Sequence, residues 1–265
     1  MSSQLLIYER AVPVSAARHG QWSVEAGADY GFTRSVNSVP LMAVEFPSAA
    51  GEYAIVFTGT AEACVPAVIL GMRADENLYL AEQGGWKAKY IPAFVRRYPF
   101  VFSSSPDGKT FTLCIDEAFP GCNQEGRGAR LFDAERKPTA YVSNVLKFLE
   151  QYQLQFRRTQ AFCRKLHELD LLEPMRAQAS LQSGERLSLA GFMAVKRERL
   201  KALPAQTLAE LAKTDELELL YLHLHSMSNF TAMGERLAAK PAGEAQSAAQ
   251  EAAAQGGEAR PGLPS

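Results

Sequence analysis

The chain reads GGWKAKYIPAFVRRYPFVF from residue 84 to residue 102, and this stretch carries its strongest local signals. Pro92 suits the first turn of a helix, where its missing N–H costs nothing. Pro99 ends that helix, because the residue before a proline is pushed towards extended geometry. Residues 100–105 are aromatic and β-branched, which is typical of a strand. We therefore predict a short helix that leads directly into a strand.

This short helix is predicted to have one apolar face, formed by Ile91, Phe94, Val95 and Tyr98 at helical spacing. Arg96 and Arg97 are predicted to lie on the opposite side, where charged residues on a surface helix usually face solvent or pair with acids. The alternative is an anion site, because two guanidinium groups can bind a carboxylate or a phosphate in bidentate fashion. That alternative predicts a binding region formed by Trp86, Lys89, Tyr90, Arg96, Arg97 and Tyr98.

The composition indicates an ordinary globular protein. Hydrophobic residues make up 47% and charged residues 22% of the 265 positions, which is enough for a sizeable core. The 28 basic residues balance 29 acidic ones, so the overall charge argues against binding to nucleic acid or to a membrane surface. The sequence shows neither a signal-peptide pattern nor an apolar run long enough for a membrane span. The simplest predicted location is the cytoplasm.

The sequence offers no recognisable cofactor or metal motif. Its four cysteines have no CxxC spacing, and their low number does not indicate a disulfide framework. A phosphate-binding glycine loop and a zinc-binding HExxH helix are also missing from the sequence. We therefore predict no metal and no cofactor.

Short apolar runs and turn signals predict a mainly antiparallel sheet region in the first half. The predicted strands cover residues 5–14, 53–58, 65–70 and 77–80, whereas 39–47 suits a strand or a short helix. Asp107-Gly108 between two strand patterns indicates a hairpin, and residues 116–138 are predicted to form a polar loop. A long helix over residues 139–172, a hairpin over 173–195 and helices up to residue 227 follow.

These elements predict an α+β fold. A mostly antiparallel sheet region with the short basic helix precedes a long helix, a β-hairpin and C-terminal helices. We expect a β-rich region over residues 1–138 and a helical region with a hairpin over 139–238, packed together as one globular body. Residues 239–265 have almost no bulky side chains and are predicted to be disordered.

Several segments of the chain resemble the SapC family of bacterial proteins. The resemblance rests on PLMAVEF (40–46), YAIVF (53–57), ILGMRADENLYL (69–80), GFMAVKRERLKALP (191–204), LELLYLHLHSMSN (217–229) and above all YIPAFVRRYPF (90–100). Ala54 and Lys196 depart from the family pattern, where we expect a proline and an acid. The resemblance implies an association with a paracrystalline surface layer, to which the family owes its name. It also implies partners encoded nearby, such as TonB-dependent receptors, halogenase-like proteins and cupin-like proteins, but no established catalytic residues.

A second candidate cluster contains His223, Ser226 and Asn229. His223 and Ser226 are three residues apart and share one helix face. A Ser–His hydrolase would also need an orienting acid and an oxyanion hole, and the sequence indicates neither. Ser226 and Asn229 are more naturally helix-capping groups, and His223 a hydrogen-bonded, half-buried side chain.

Two functions follow from these features. The first is a soluble accessory or binding protein that recognises a protein, a peptide or another anionic partner through residues 86–100, since aromatic residues and arginine form most interface hot spots. The second is an enzyme that acts on an amino acid or peptide, with Arg96 as carboxylate clamp and His223 as acid–base group. A surface-layer protein is a further alternative, although the N-terminus shows no export signal.

Overall fold

The computed structural model of the protein describes residues 5–105, 107–180 and 184–238. In this part of the chain helices accompany three sheets whose strand pairs are all antiparallel, which confirms the α+β class. The predicted disordered tail, residues 239–265, lies outside the described residues, as does Ser183, the first residue of the turn predicted for the second hairpin at 183–185.

The strands in chain order are β1 (Ala11–Pro13), β2 (Ser23–Val24), β3 (Ser38–Pro40), β4 (Ile55–Thr58), β5 (Val65–Ile69), β6 (Phe100–Ser104), β7 (Phe111–Asp116), β8 (Cys122–Asn123), β9 (Ala129–Arg130), β10 (Leu172–Ser180) and β11 (Arg186–Val195). The α-helices are α1 (Ala16–His19), α2 (Phe46–Ala49), α3 (Ala93–Arg96), α4 (Ala140–Glu168), α5 (Arg197–Lys201), α6 (Ala205–Lys213), α7 (Glu216–Ser226) and α8 (Asn229–Ala238). Short 3-10 helices cover Gly31–Thr33 and Ala43–Glu45.

The largest sheet has five strands in the order β10-β11-β4-β5-β3, so it joins strands from both halves of the chain. The hairpin β10-β11 meets β4 at the residue pair Met193 and Phe57. Residues Ile55, Val56 and Phe57 are fully buried, which explains why this strand reads as a continuous apolar run rather than an alternating one. Helix α7 packs against both β4 and β11, and α4 packs against β5.

Two smaller sheets complete the strand arrangement. The sheet β1-β7-β6 contains the hairpin predicted around Asp107-Gly108, in which Gly108 adopts a positive φ of 67°. The sheet β8-β2-β9 lies partly inside residues 116–138, which the sequence predicts to be a polar loop. That prediction is wrong at these positions, because strands of two residues are too short to show an alternating pattern.

Other strand predictions in the first half need correction. Residues 77–80 do not form a strand, although Leu80 and Trp86 make an isolated bridge. Leu78, Tyr79 and Leu80 are all buried, so the side chains do not alternate between core and solvent. Residues 39–47, which suited either a strand or a helix, contain the end of β3, the 3-10 helix and the start of α2.

Helix α4 spans 29 residues and connects two hydrophobic cores. Near its beginning Val142 and Leu149 belong to the smaller core, which lies around Phe100 and Ile115. Further along, Tyr152, Phe162, Cys163 and Leu166 belong to the larger core around the five-stranded sheet. Apolar side chains along this helix are therefore buried against other parts of the same chain.

Candidate functional site

The predicted basic helix is present as α3, a single helical turn between the two prolines. Pro92 occupies the N-cap position, and Arg97 follows the helix as its C-cap with α-helical dihedral angles. The Tyr98–Pro99 peptide bond is cis, and β6 begins at the next residue. The sequence therefore correctly predicts both the short helix and the strand that follows it.

A buried glutamate, Glu45, holds α3 and the segment before it. One carboxylate oxygen accepts hydrogen bonds from the hydroxyl of Tyr90 at 2.7 Å and from the backbone N–H of Ala93 at 2.8 Å. The other oxygen accepts the backbone N–H of Met42 at 2.8 Å. Burial raises the pKa of Glu45 above its usual value, although these three hydrogen bonds oppose the shift.

Sequence reasoning missed Glu45 as a functional residue. It lies in the PLMAVEF segment, which supports the family resemblance, but nothing in the local pattern connects it with α3. The one available signal was that Glu45 is a single acid inside an apolar run. Such an acid is expected to be buried, and a buried carboxylate needs hydrogen-bond partners.

The segment from Trp86 to Tyr90 is fastened to the core by Glu52 and Tyr53. The carboxylate of Glu52 accepts the backbone N–H groups of Lys89 at 2.7 Å and Tyr90 at 3.1 Å. The hydroxyl of Tyr53 accepts the indole N–H of Trp86 at 2.7 Å and donates to the carbonyl of Tyr90. Trp86 is half-buried, so its polar atom supports the segment while part of the ring stays accessible.

Arg96 is exposed, and its guanidinium group is held in a defined position. Its Nε donates to the carbonyl oxygen of Ile91 at 2.9 Å, and Nη2 donates to the hydroxyl of Tyr90 at 3.3 Å. The group also lies over the rings of Tyr90 and Phe148, with its central carbon 5.7 and 5.5 Å from the two ring centroids. Within the described ranges no carboxylate pairs with Arg96, so its charge has aromatic neighbours but no ion pair.

Arg97 differs sharply from Arg96, because only 4% of its surface is exposed. Its guanidinium carbon lies 4.3 Å from the centroid of the Phe94 ring, 4.9 Å from that of Tyr152 and 5.7 Å from that of Tyr8. The sequence placed both arginines opposite the apolar face, which is wrong for Arg97. Residues three apart share a helix face, so Arg97 follows Phe94 into the core.

The remaining predicted binding residues lie at the edges of this region. Lys89 is exposed. Tyr98 is half-buried, stacks on Phe32 with 4.1 Å between ring centroids, and donates its hydroxyl to Asp116 at 3.3 Å. Burial and the nearby Asp116 carboxylate raise the pKa of Tyr98. Of the six predicted residues, Lys89 and Arg96 are thus the exposed cations, whereas Arg97 is buried.

The second predicted cluster is part of the core. Val195 donates its backbone N–H to Nε2 of His223 at 3.0 Å, and Nδ1 of His223 donates to the carbonyl of Ile55 at 2.9 Å. Ser226 accepts the backbone N–H of Ile55 at 3.0 Å, and Asn229 donates to two further carbonyls in the segment before β4. Desolvation lowers the pKa of His223 to about 4, so the imidazole is neutral near pH 7.

This arrangement gives His223 a structural role. The register of Met193 with Phe57, extended by two residues, puts Val195 opposite Ile55, and the imidazole connects these two strands there. Both ring nitrogens are occupied, and no part of the side chain is exposed. His223 is therefore not accessible to a substrate. It does not fit the acid–base role that the sequence-based hypothesis gave it in a catalytic cleft with Arg96.

Within the part of the chain that the structure describes, His, Cys, Asp and Glu side chains do not gather in groups of three or more that could hold a metal ion. Every helix in the same ranges is too short or too polar to cross a lipid bilayer.

Comparison with known proteins identifies the family. The family model described as SapC matches residues 14–233, which include α3, the segment before it and both anchoring glutamates. No curated protein and no solved structure matches the chain. Because the matched range covers most of the sequence, the chain belongs to the SapC family.

Proposed function

We propose that this SapC-family chain is a binding or accessory protein that recognises an anionic group on a protein or peptide partner. The binding region is the Arg96 surface, formed by the side chains of Lys89, Tyr90, Arg96 and Phe148. The exposed, positioned guanidinium of Arg96 carries the proposal. Arginine over an aromatic ring, with free donors towards solvent, is a common arrangement at interface hot spots.

The acids nearest the Arg96 surface, Glu45 and Glu52, do not form ion pairs with its cations. Glu45 and Glu52 accept hydrogen bonds from backbone N–H groups and from the Tyr90 hydroxyl. Among the described residues neither Lys89 nor Arg96 has a carboxylate within 4.0 Å. A carboxylate or a phosphate on a partner would therefore meet two cations that have no direct ion pair.

The Arg96 side chain is also pre-organised for such a contact. Nε and Nη2 are used by Ile91 and Tyr90, whereas Nη1 makes no hydrogen bond to any described residue. Because the side chain is already fixed, binding would cost less conformational entropy than it would for a freely rotating arginine. An anion at Nη1 would gain a charge-assisted hydrogen bond.

Affinity capture with three immobilised baits tests this proposal. The baits are the native chain, the variant Arg96→Gln and the variant Arg197→Gln. Arg197 is a matched control, because it is exposed on α5 and likewise has no ion pair in the described residues. Bound proteins from a native lysate are identified by mass spectrometry.

We expect a set of proteins that the native chain and Arg197→Gln retain and Arg96→Gln loses. Equal retention by all three baits would exclude the Arg96 surface as the recognition site. The identities of the captured proteins also test whether the partners are TonB-dependent receptors, halogenase-like proteins or cupin-like proteins.

A further inference from the structure

A cleft of about 420 Å³ lies between α1 with the residues that precede β2, Gln124 after β8, and the end of β9 with the loop that follows it. Its volume falls within the range of small-molecule sites. The residues that matter for its chemistry are Arg18, Trp22, Gln124, Arg130, Asp133 and Arg136. None of them belongs to the Arg96 surface, so this is a separate site.

The cleft has a net positive lining. Three arginines, Arg18, Arg130 and Arg136, face one acid, Asp133, whose carboxylate already accepts the backbone N–H of Lys137 at 2.8 Å. Arg130 and Arg136 are exposed, and neither forms an ion pair with a carboxylate in the ranges described. The neighbouring Arg127, in contrast, pairs with Glu25 and Glu125. Arg130 and Arg136 inside the cleft therefore have no ion pair in the described ranges, whereas Arg127 beside the cleft is paired.

Arg18 is a rigid part of the lining. Its Nη2 donates to Glu117 at 2.7 Å, and Nε donates to the other oxygen of that carboxylate. The Glu117 side chain is only 1% exposed and is also contacted by Arg10 at 3.0 Å and His19 at 3.2 Å. A bidentate pair with a buried carboxylate keeps the arginine in one orientation.

Arg136 is held in an unusual backbone conformation. Its φ is +61°, and its N–H donates to the carbonyl of Asp133 at 3.1 Å within a loop closed by the bridge between Phe132 and Pro138. The left-handed region costs conformational energy for a residue with a side chain. Asparagine or glycine would lower that cost, but neither would supply a guanidinium group.

Trp22 also lines the cleft, and it is the aromatic residue of the lining. The indole is half-buried and meets the His19 ring edge-on, with 5.1 Å between centroids. The backbone of Trp22 accepts a hydrogen bond from Leu131 at 3.0 Å, which ties it to the loop that carries Arg130 and Arg136. The amide of Gln124 supplies a further hydrogen-bonding group.

We propose that this cleft binds a small organic anion that carries a phosphate or a carboxylate next to a planar ring. The anionic group contacts Arg130 and Arg136 beside the fixed Arg18–Glu117 pair, and the ring lies against Trp22. The site needs neither the Arg96 surface nor a partner protein.

Isothermal titration calorimetry on the full chain tests the proposal, with phenyl phosphate as the probe. We expect saturable binding that the double variant Arg130→Gln/Arg136→Gln weakens about tenfold or more, since losing charged hydrogen bonds costs at least about 1.4 kcal/mol. Both residues are exposed, and circular dichroism verifies that the variant stays folded. Arg127→Gln is the matched control, because its guanidinium already pairs with Glu25 and Glu125, and we expect it to bind as the native chain does.

Further probes test each part of the ligand. Benzoate in place of phenyl phosphate compares the carboxylate with the phosphate, and saturable binding of either supports the proposal. Inorganic phosphate and phenol should both bind more weakly than phenyl phosphate. The proposal is overturned if neither aromatic anion binds saturably, if the double variant binds like the native chain, or if inorganic phosphate or phenol binds as tightly as phenyl phosphate.

Discussion

The guanidinium of Arg96 and the buried carboxylate of Glu45 are connected through a single hydroxyl group, that of Tyr90. The hydroxyl donates to Glu45 at 2.7 Å and accepts from Arg96 at 3.3 Å. An acid in the core thereby orients a cation at the surface. This connection explains how a helix of one turn can present an arginine in a fixed position.

The substitution Tyr90→Phe removes that hydroxyl and keeps the ring. It leaves the buried Glu45 with one donor fewer, so we expect the free energy of unfolding to fall by about 1–3 kcal/mol in urea denaturation. Tyr221→Phe is the control, because Tyr221 is 45% exposed and its hydroxyl has no hydrogen bond to another described residue. Equal stability of the two variants would mean that the Tyr90 hydroxyl does not support Glu45.

Arg96 and Arg97 are adjacent but should behave differently when each is replaced by alanine. Arg97→Ala empties a buried space among Tyr8, Phe94 and Tyr152 and removes the cation–π contacts, so we expect a loss of about 2–4 kcal/mol. Arg96→Ala removes an exposed side chain that makes two hydrogen bonds and two cation–π contacts, so we expect a smaller loss of about 0.5–1 kcal/mol. Chemical denaturation of both variants checks this, and equal losses would contradict the different environments of the two residues.

The buried imidazole of His223 should make stability depend on pH. Its pKa is about 4 in the folded chain, against an ordinary value of 6.5, so the unfolded chain takes up a proton first. The contribution of neutral His223 is fully present above pH 6.5 and is lost as the pH falls towards 4. At about 1.4 kcal/mol per pKa unit, that loss amounts to about 3 kcal/mol.

The variant His223→Gln isolates this effect, because glutamine does not titrate. We expect the difference in unfolding free energy between the native chain and the variant to shrink as the pH falls from 6.5 to 4. A difference that stays constant across this window would show that His223 does not titrate as its burial requires.

The thiols of Cys64 and Cys163 form a buried pair near His167. The neighbouring thiol of Cys163 is the main cause that lowers the pKa of Cys64, with a smaller contribution from His167. The substitution Cys163→Ala should therefore raise the pKa of Cys64, measured from the ultraviolet absorbance of the thiolate during a pH titration. Cys114→Ala is the control, and an unchanged titration in Cys163→Ala would contradict the pairing.

Much of the local structure could be predicted because its signals are local. Pro92 and Pro99 bound α3, and Asp107-Gly108 marks the hairpin between β6 and β7. Features that depend on distant residues could not be predicted. Glu45 meets Ala93 across 48 positions of sequence, and the two-residue strands β8 and β9 pair with β2, which lies far away in the chain.

The burial of Arg97 is a different case. The spacing of three residues from Phe94 already indicated a shared helix face, but the charge of an arginine favoured solvent exposure. The aromatic rings of Phe94, Tyr152 and Tyr8 decide the outcome, and two of these residues come from other segments of the chain. His223 is similar, because its partners Ile55 and Val195 are brought together only by the five-stranded sheet.

The most direct measurement of the proposed function is the chemical reactivity of individual arginines. A dicarbonyl reagent modifies accessible guanidinium groups, and mass spectrometry locates the modified residues. The purified chain and its complex with proteins captured by the native bait are treated in parallel. Arg97 serves as a buried reference and Arg197 as an exposed reference. We predict that Arg96 reacts in the free chain and is protected in the complex while Arg197 reacts in both; equal reactivity of Arg96 in the two samples would contradict recognition through this surface.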